Sequence, residues 1–204
     1  HTKTTSYSSL KTYLQEADED PNNSGKMLLF YTGESVSKTS DMNIWNREHV
    51  WPQSLGWFGT SGAGADMHHI RPCDPSVNGS RGNKKFGTSS SYYDPNSQGA
   101  NYRGDVARII FYMFTRYSQS DSYDFTDVAQ SLDILLDWNN EDPVSETETI
   151  RNDYAHSIQG NRNPFIDNSN YANLIWGDGT TGSGSGTGSG STDTGSGDNT
   201  GSDT

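Results

Sequence analysis

Apolar side chains recur at helical spacing in several segments of the chain. Near the N-terminus, Tyr7, Leu10, Tyr13 and Leu14 lie three or four residues apart, and Ser6 can cap the helix that this spacing predicts. The same spacing predicts scaffold helices over residues 103–117 and 128–138. A further helix is expected over 146–159, and residues 171–176 close the domain.

Short strands are expected only in the first half of the chain. The apolar run 27–31 predicts a buried strand after a break at 20–25, and residues 44–50 and 66–71 predict two more, separated by a Gly- and Ser-rich loop over 57–65. Asp74 followed by Pro75 is a good helix start, which places Asn78 in the first turns of a short helix. Since helices dominate, the expected class is α+β.

The composition indicates one folded domain followed by a tail. Residues 177–204 contain only Gly, Asp, Thr, Ser and Asn, which cannot supply an apolar face, so we expect a disordered linker or tail there. The 5 Trp and the 11% aromatic content lie in a chain long enough to bury one sizeable core. The predicted boundaries are therefore a domain over 1–176 and a tail over 177–204.

The charge balance argues against binding of nucleic acid by bulk attraction. The formal net charge is -12, and an acidic body repels a polyanion. Locally, the segment from Arg71 to Arg108 is basic, with six basic residues against three acidic ones. A small basic site on an acidic body fits an enzyme that must release its product, with strongly salt-dependent phosphate contacts.

Cysteine content, hydropathy and the first residue bear on disulfide formation, membrane insertion and secretion. Cys73 is the only cysteine, so no intrachain disulfide can form. No run of about 18 apolar residues is present, which argues against a membrane span. The chain begins with His1 rather than Met, so we expect that an upstream segment, such as a secretory signal, has been removed.

The segment 46–52 and the downstream Asn78 contain residues suited to cutting phosphodiesters. The Glu48 carboxylate and the Asn78 amide oxygen suit a hard cation such as Mg²⁺, with Mn²⁺ or Ca²⁺ as alternatives. The imidazole of His49 can take a proton from an attacking water near neutral pH. Arg71 and Arg81 are the candidates for holding the phosphate through charge-assisted bonds. Such a site asks little of base recognition, so weak sequence preference is expected.

Five segments, in order, resemble the bacterial endonuclease I family of ββα-metal nucleases. They are REHVWP at 47–52, DMHHIRP at 66–72, SVNGSRGN at 76–83, RGDVARIIFYM at 103–113 and IQGNRNPFID at 158–167. The resemblance implies a helical scaffold around a ββα-metal finger. It also implies a periplasmic or secreted, sequence-nonspecific nuclease that acts on DNA and RNA, uses Mg²⁺ or a similar ion and leaves 5′-phosphates.

By this resemblance, His49 corresponds to the family's general base, and Glu48 and Asn78 correspond to its metal ligands. One departure concerns the phosphate-holding arginine that several members carry in an insertion after the histidine. Residues 50–65 contain no Lys or Arg here, so that arginine has no counterpart in the segment. We expect a monomeric, extracellular or cell-surface enzyme, with a further domain or anchor reached through the tail.

Two other hypotheses remain open on the residues alone. A zinc hydrolase could use His49, His68, His69 and Cys73, although neither an HExxH helix nor paired CxxC spacing is present. A catalytically inactive nucleic-acid or surface-binding module on the same fold is the non-enzyme alternative. The joint presence of Glu48, His49 and Asn78 argues against it.

Overall fold

The computed structural model describes residues 5–56, 58–117 and 124–177. Apart from Gly177, the segment predicted to be a tail lies outside the described residues. Within the described ranges, helices outweigh strands and the strands are short, so the predicted α+β class is confirmed.

The elements follow one another in this order. Helix α1 is Leu10–Ala17, and strands β1 to β4 are Glu19–Asp20, Asn23–Leu28, Ser35–Ser37 and Asn46–His49. Helix α2 is Gln53–Gly56, strand β5 is Ile70–Cys73, and helices α3 to α8 are Pro75–Arg81, Arg103–Tyr117, Leu132–Glu141, Glu146–Gln159, Pro164–Asp167 and Asn170–Trp176. Short 3₁₀ turns cover Gly62–Ala65 and Phe125–Asp127.

Strands β4 and β5 form a two-stranded antiparallel ribbon, and α3 follows β5 after one residue. Asn46 lies opposite Cys73 and His49 lies opposite Ile70. The other sheet has the order β1-β2-β3 and is also antiparallel. The β4-β5-α3 unit is the ββα arrangement that the sequence predicts.

Two predicted strands are displaced. The break expected at 20–25 is a hairpin, in which Asp20 pairs with Asn23. The Asp20 side chain accepts a hydrogen bond from the Asn22 amide (2.9 Å). Strand β2 therefore begins inside the expected break. The strand predicted over 66–71 starts only at Ile70. The amides of His69 and Ile70 both donate to the carbonyl oxygen of Asp66 (3.0 Å each), which makes 66–69 a turn.

Helices α4 and α6 have the predicted bounds. Helix α1 starts at Leu10, later than the Ser6 cap predicts. Helix α5 starts at Leu132 rather than 128, because Val128 and Gln130 form backbone bonds with Phe86 instead (2.8 and 2.7 Å). Helices α2 and α7 were not predicted. None of the helices in the described ranges is long and apolar enough to cross a lipid bilayer.

Two hydrophobic clusters flank the β4-β5 ribbon. Cys73 at the end of β5 and Val50 just after β4 are buried in the larger cluster, which is built mainly on α4. Ile70 at the start of β5 packs in the smaller cluster, with Leu10 and Leu14 of α1. Because both clusters anchor the ribbon, the residues it carries have little freedom to move.

Replacing the cap of α3 should weaken the helix that carries Asn78. The Asp74 carboxylate accepts bonds from the amides of Ser76 (2.8 Å) and Val77 (3.0 Å). We therefore expect Asp74→Ala to lower the free energy of unfolding by about 1 kcal/mol, as loss of an N-cap usually does. Urea unfolding measures this change. Asp137→Ala, on the exposed side of α5, is the matched control, and equal stability of the two variants would contradict the prediction.

Candidate active site

The end of β4 and the helix α3 line one open pocket of about 210 Å³. It brings together Glu48, His49, Asn78 and Arg81 from the residues predicted to form the site. Glu48 and His49 are the last two residues of β4, and Asn78 lies in the middle of α3. The remaining lining residues are Arg47, Pro52, Gln53, Gly82 and Asn83.

The Glu48 carboxylate is buried, with only 2% of the residue exposed. Its Oε1 accepts a hydrogen bond from the Tyr31 hydroxyl (2.8 Å) and forms an ion pair with Arg81 Nη1 (3.0 Å). Burial raises the pKa of Glu48 above its ordinary value, against the lowering effects of Arg81 and Tyr31. Since both bonds end on Oε1, Oε2 is the oxygen that Glu48 can offer to a cation.

Tyr31 was not found by sequence reasoning. Among the described residues it is the only non-glycine with positive φ (70°), a conformation that costs an L-residue about 1–2 kcal/mol. The left-handed backbone follows the buried Phe30 and precedes the turn at Gly33 (φ 67°). This turn directs the buried hydroxyl to Glu48. No periodicity in the sequence signals a tyrosine in that conformation.

The Asn78 side chain is oriented by β4. Its Nδ2 donates to Asn46 Oδ1 (2.6 Å) and to the carbonyl oxygen of Arg47 (3.3 Å). Both bonds use the amide nitrogen, so the amide oxygen Oδ1 is the atom suited to coordinate a cation. Glu48 and Asn78 thus present hard oxygen donors to the same pocket.

The His49 ring is held in one tautomer. Its Nε2 lies 3.2 Å from the carbonyl oxygen of Gly64, and because a carbonyl only accepts, Nε2 carries the hydrogen and Nδ1 keeps the lone pair. Burial, together with Arg47 and Arg81, lowers the pKa of His49 to about 4, against the effect of the Gly64 bond. The imidazole is therefore neutral at pH 7 and able to accept a proton.

Arg81 is buried and makes several contacts through its two terminal nitrogens. Beyond its ion pair with Glu48, it donates to the carbonyl oxygens of His49 (3.0 Å) and Val50, and its guanidinium lies over the Phe86 ring at 4.6 Å. Its contacts thus join α3 to the end of β4.

Arg71 lies opposite Glu48 in the β4-β5 ribbon but does not line the pocket that holds His49. Its guanidinium forms ion pairs with Asp18 (3.0 Å) and Asp105 (3.5 Å) and lies over the Phe30 ring at 4.3 Å. It lines a different cavity, together with Asp18 and Tyr102. A direct contact between Arg71 and a phosphate in the His49 pocket would therefore need a rearrangement of this buried network.

Comparison with known proteins identifies the family of this chain. The sequence profile of the family described as Endonuclease I matches residues 1–170. The chain belongs to the endonuclease I family. It is accordingly an endonuclease, a hydrolase of phosphodiester bonds.

Relatives named for different substrates match this endonuclease. It is 42% identical to an extracellular ribonuclease of Bacillus subtilis (strain 168), over 84% of this chain and 68% of the relative. It is 41% identical to an extracellular ribonuclease of Bacillus amyloliquefaciens, over 86% and 70%. An extracellular deoxyribonuclease of Aeromonas hydrophila is 29% identical, over 50% of this chain and 48% of the relative.

The four residues of the zinc hypothesis do not form one ligand group in this endonuclease, although the ring centres of His49 and His69 lie 5.6 Å apart. His69 Nε2 accepts a bond from the Trp51 amide (2.9 Å) and Nδ1 lies 2.8 Å from the Ala63 carbonyl oxygen, while His68 Nε2 lies 2.9 Å from the Asn161 carbonyl oxygen. Within the described ranges, no group of three or more His, Cys, Asp or Glu side chains is arranged to hold a metal. The pocket formed by β4 and α3 instead offers one carboxylate, from Glu48, and one amide oxygen, from Asn78.

Asp66 stabilises the turn before β5 and was also missed by the sequence analysis. Its buried carboxylate accepts bonds from the hydroxyls of Tyr112 (2.7 Å) and Tyr117 (2.6 Å) and from Gln159 Nε2 (2.9 Å). These partners lie on α4 and α6, so Asp66 fixes the entry to β5 against two scaffold helices. Such long-range convergence has no local sequence signal.

The Tyr31 hydroxyl should contribute to stability through Glu48. Tyr31→Phe removes a hydrogen bond to a buried carboxylate, and we expect a loss of about 1–3 kcal/mol in the free energy of unfolding. The change should also raise the pKa of Glu48 further, since the Tyr31 bond lowers it. Chemical unfolding of the variant beside Tyr171→Phe, an exposed tyrosine, checks this. A stability loss no larger than that of the control would contradict it.

His69 should make stability depend on pH. Burial, with His49 as a second cause, lowers the pKa of His69 to about 3, below its ordinary value of 6.5. The unfolded chain therefore binds a proton at this residue between those values, and stability falls as pH falls through that window. Between pH 7 and pH 5, we expect the wild type to lose about 2 kcal/mol relative to His69→Gln. Urea unfolding at both pH values measures the difference.

His156→Gln is the matched control for this comparison, because His156 is exposed on α6. If the stability difference between wild type and His69→Gln changes no more between pH 7 and pH 5 than that between wild type and His156→Gln, the prediction is wrong.

Proposed function

We propose that this endonuclease cuts phosphodiester bonds in DNA and RNA with weak sequence preference, uses a divalent cation and leaves 5′-phosphate ends. The observation that carries the proposal is the pocket itself. It presents a neutral histidine with a lone pair on Nδ1 beside two hard oxygen donors, Glu48 Oε2 and Asn78 Oδ1.

The donor set fits Mg²⁺, with Mn²⁺ or Ca²⁺ as alternatives. Mg²⁺ is usually bound through one or two protein oxygens and keeps several waters for a substrate phosphate to replace. Glu48 would supply the carboxylate and Asn78 the amide oxygen. When bound, such a cation stabilises the negative charge that develops on the phosphate and on the departing oxygen.

His49 acts as the general base in this proposal. Its Nδ1 takes a proton from the water that attacks phosphorus, while the bond between Nε2–H and the Gly64 carbonyl keeps the ring in the required tautomer. The bond between phosphorus and the 3′ oxygen breaks, so the phosphate remains on the 5′ end. Arg81 acts indirectly here, because its contacts position Glu48 and the backbone of His49.

The substrate range and the setting follow from the relatives and the charge. The ribonucleases of Bacillus and the deoxyribonuclease of Aeromonas support action on both polymers. All three relatives are named as extracellular enzymes, which supports a secreted enzyme here. An acidic body, net charge -12, leaves substrate attraction to local phosphate contacts, which are weakened by salt.

Digestion of supercoiled plasmid and of structured RNA at low salt tests the proposal. Cleavage should require a divalent ion, stop with chelator and produce 5′-phosphate ends. His49→Ala should lower the rate by about 10²–10⁴-fold, the usual contribution of a general base. The exposed His156→Ala is the control and should cut like the wild type.

The inactive-module alternative gives a different result in the same assay. Binding of either polymer without cleavage under any ion would favour that alternative. Undiminished cutting by His49→Ala would remove His49 from the mechanism even if the wild type is active.

A further inference from the structure

Arg47 lies on the same side of β4 as the proposed base. It precedes His49 by two residues, and side chains two apart on a strand leave the same face. Tyr7 is next to both: its ring is stacked 5.8 Å from the His49 ring, and the Arg47 guanidinium carbon lies 3.6 Å from the Tyr7 ring centre. Arg47 also lines the pocket.

The other arginine of the pocket already has a carboxylate partner, since Arg81 is paired with Glu48. Arg47 forms no ion pair with any residue in the described ranges. Its Nη1 donates to the Tyr7 carbonyl oxygen (2.6 Å), and its buried Nε has no hydrogen-bond partner among those residues. Arg47 is thus a half-buried cation beside the base, without a carboxylate partner in the described ranges and with one buried donor, Nε, that those residues leave unused.

We propose that Arg47 contacts substrate and holds a non-bridging oxygen of the scissile phosphate next to His49. This inference rests on the proposed function, because it assigns the phosphate-binding cation of the same site. A guanidinium suits that role, since its planar donors match phosphate oxygens better than an ammonium does. It also supplies a cation that residues 50–65, which contain no Lys or Arg, cannot supply.

The N-terminal segment positions this cation. The Tyr7 carbonyl and the Tyr7 ring both contact the guanidinium before substrate arrives. A donor that is already in place stabilises developing charge without the cost of reorganisation. Tyr7 is therefore a positioning residue for Arg47 and His49, and residues outside the ββα unit take part in the site.

Kinetics of Arg47→Gln, with Arg162→Gln as control, test the inference. Arg162 is a partly exposed arginine paired with Asp153 and Asp167, so its loss changes the net charge equally. We expect Arg47→Gln to lower kcat/KM by about 10²–10³-fold, as loss of one transition-state donor does. The slope of log affinity against log salt should become shallower by about 0.7–0.9. Arg162→Gln should change neither quantity.

Arg47→Lys separates charge from geometry and remains informative if Arg47→Gln does not fold. We expect it to keep most of the salt slope but to lose at least tenfold in kcat/KM, because an ammonium does not reproduce the planar donors. Thermal unfolding establishes that each variant is folded. Wild-type kcat/KM in a folded Arg47→Lys, together with an unchanged slope in any folded Arg47→Gln, would overturn the inference.

Binding of a labelled single-stranded oligonucleotide in chelator separates failure of this inference from failure of the proposed function. If the wild type cuts and His49→Ala does not, while Arg47→Gln cuts and binds like Arg162→Gln, only the role of Arg47 is wrong. If the wild type binds but never cuts, hydrolysis is wrong. Weaker binding and a shallower slope for Arg47→Gln would still support the phosphate contact, and equal binding would overturn it.

Discussion

The guanidinium of Arg81 links helix α3 to Glu48 and to the backbone at the end of β4. From α3 it reaches the Glu48 carboxylate and the carbonyl oxygens of His49 and Val50, and it is buried over Phe86. A charge this deep in a protein is costly unless an opposite charge pairs with it. The pairing therefore constrains β4 and α3 together, and it fixes the relative positions of Glu48, His49 and Asn78.

Segments far apart in the chain complete this arrangement. Tyr31 approaches Glu48 from a left-handed turn, Tyr7 stacks on His49 from the N-terminal segment, and Gly64 accepts the Nε2–H of His49. Gly64 can only be glycine in this conformation, because a Cβ there would lie 1.7 Å from the carbonyl oxygen of Gly59. The loop that looks featureless in sequence thus sets the tautomer of the proposed base.

The sequence predicted the parts of the structure that depend on local pattern. Helices α4 and α6 have the expected bounds because apolar periodicity and helix signals are local, and the Asp74 cap is present as predicted. Strand bounds were less accurate, since 66–69 is held as a turn by the bonds of Asp66 to distant helices. Pairing in a strand depends on partners that a single segment does not reveal.

The candidate site shows the same limit. Motif residues Glu48, His49 and Asn78 line one pocket, as resemblance to the family implied. Sequence did not show that Arg71 would be paired with Asp18 and Asp105 and lie in another cavity. Whether an arginine is free for substrate is decided by which carboxylates fold against it, and spacing along the chain carries no information on that.

Titration calorimetry of Mn²⁺ binding tests whether Glu48 and Asn78 offer oxygens to one cation. Mn²⁺ replaces Mg²⁺ in this experiment, and nucleic acid is left out. We expect one site in the wild type, at least tenfold weaker binding in Glu48→Gln, and wild-type affinity in the exposed control Glu34→Gln. Equal affinity in Glu48→Gln and Glu34→Gln, with both variants folded, would show that Glu48 does not bind the cation.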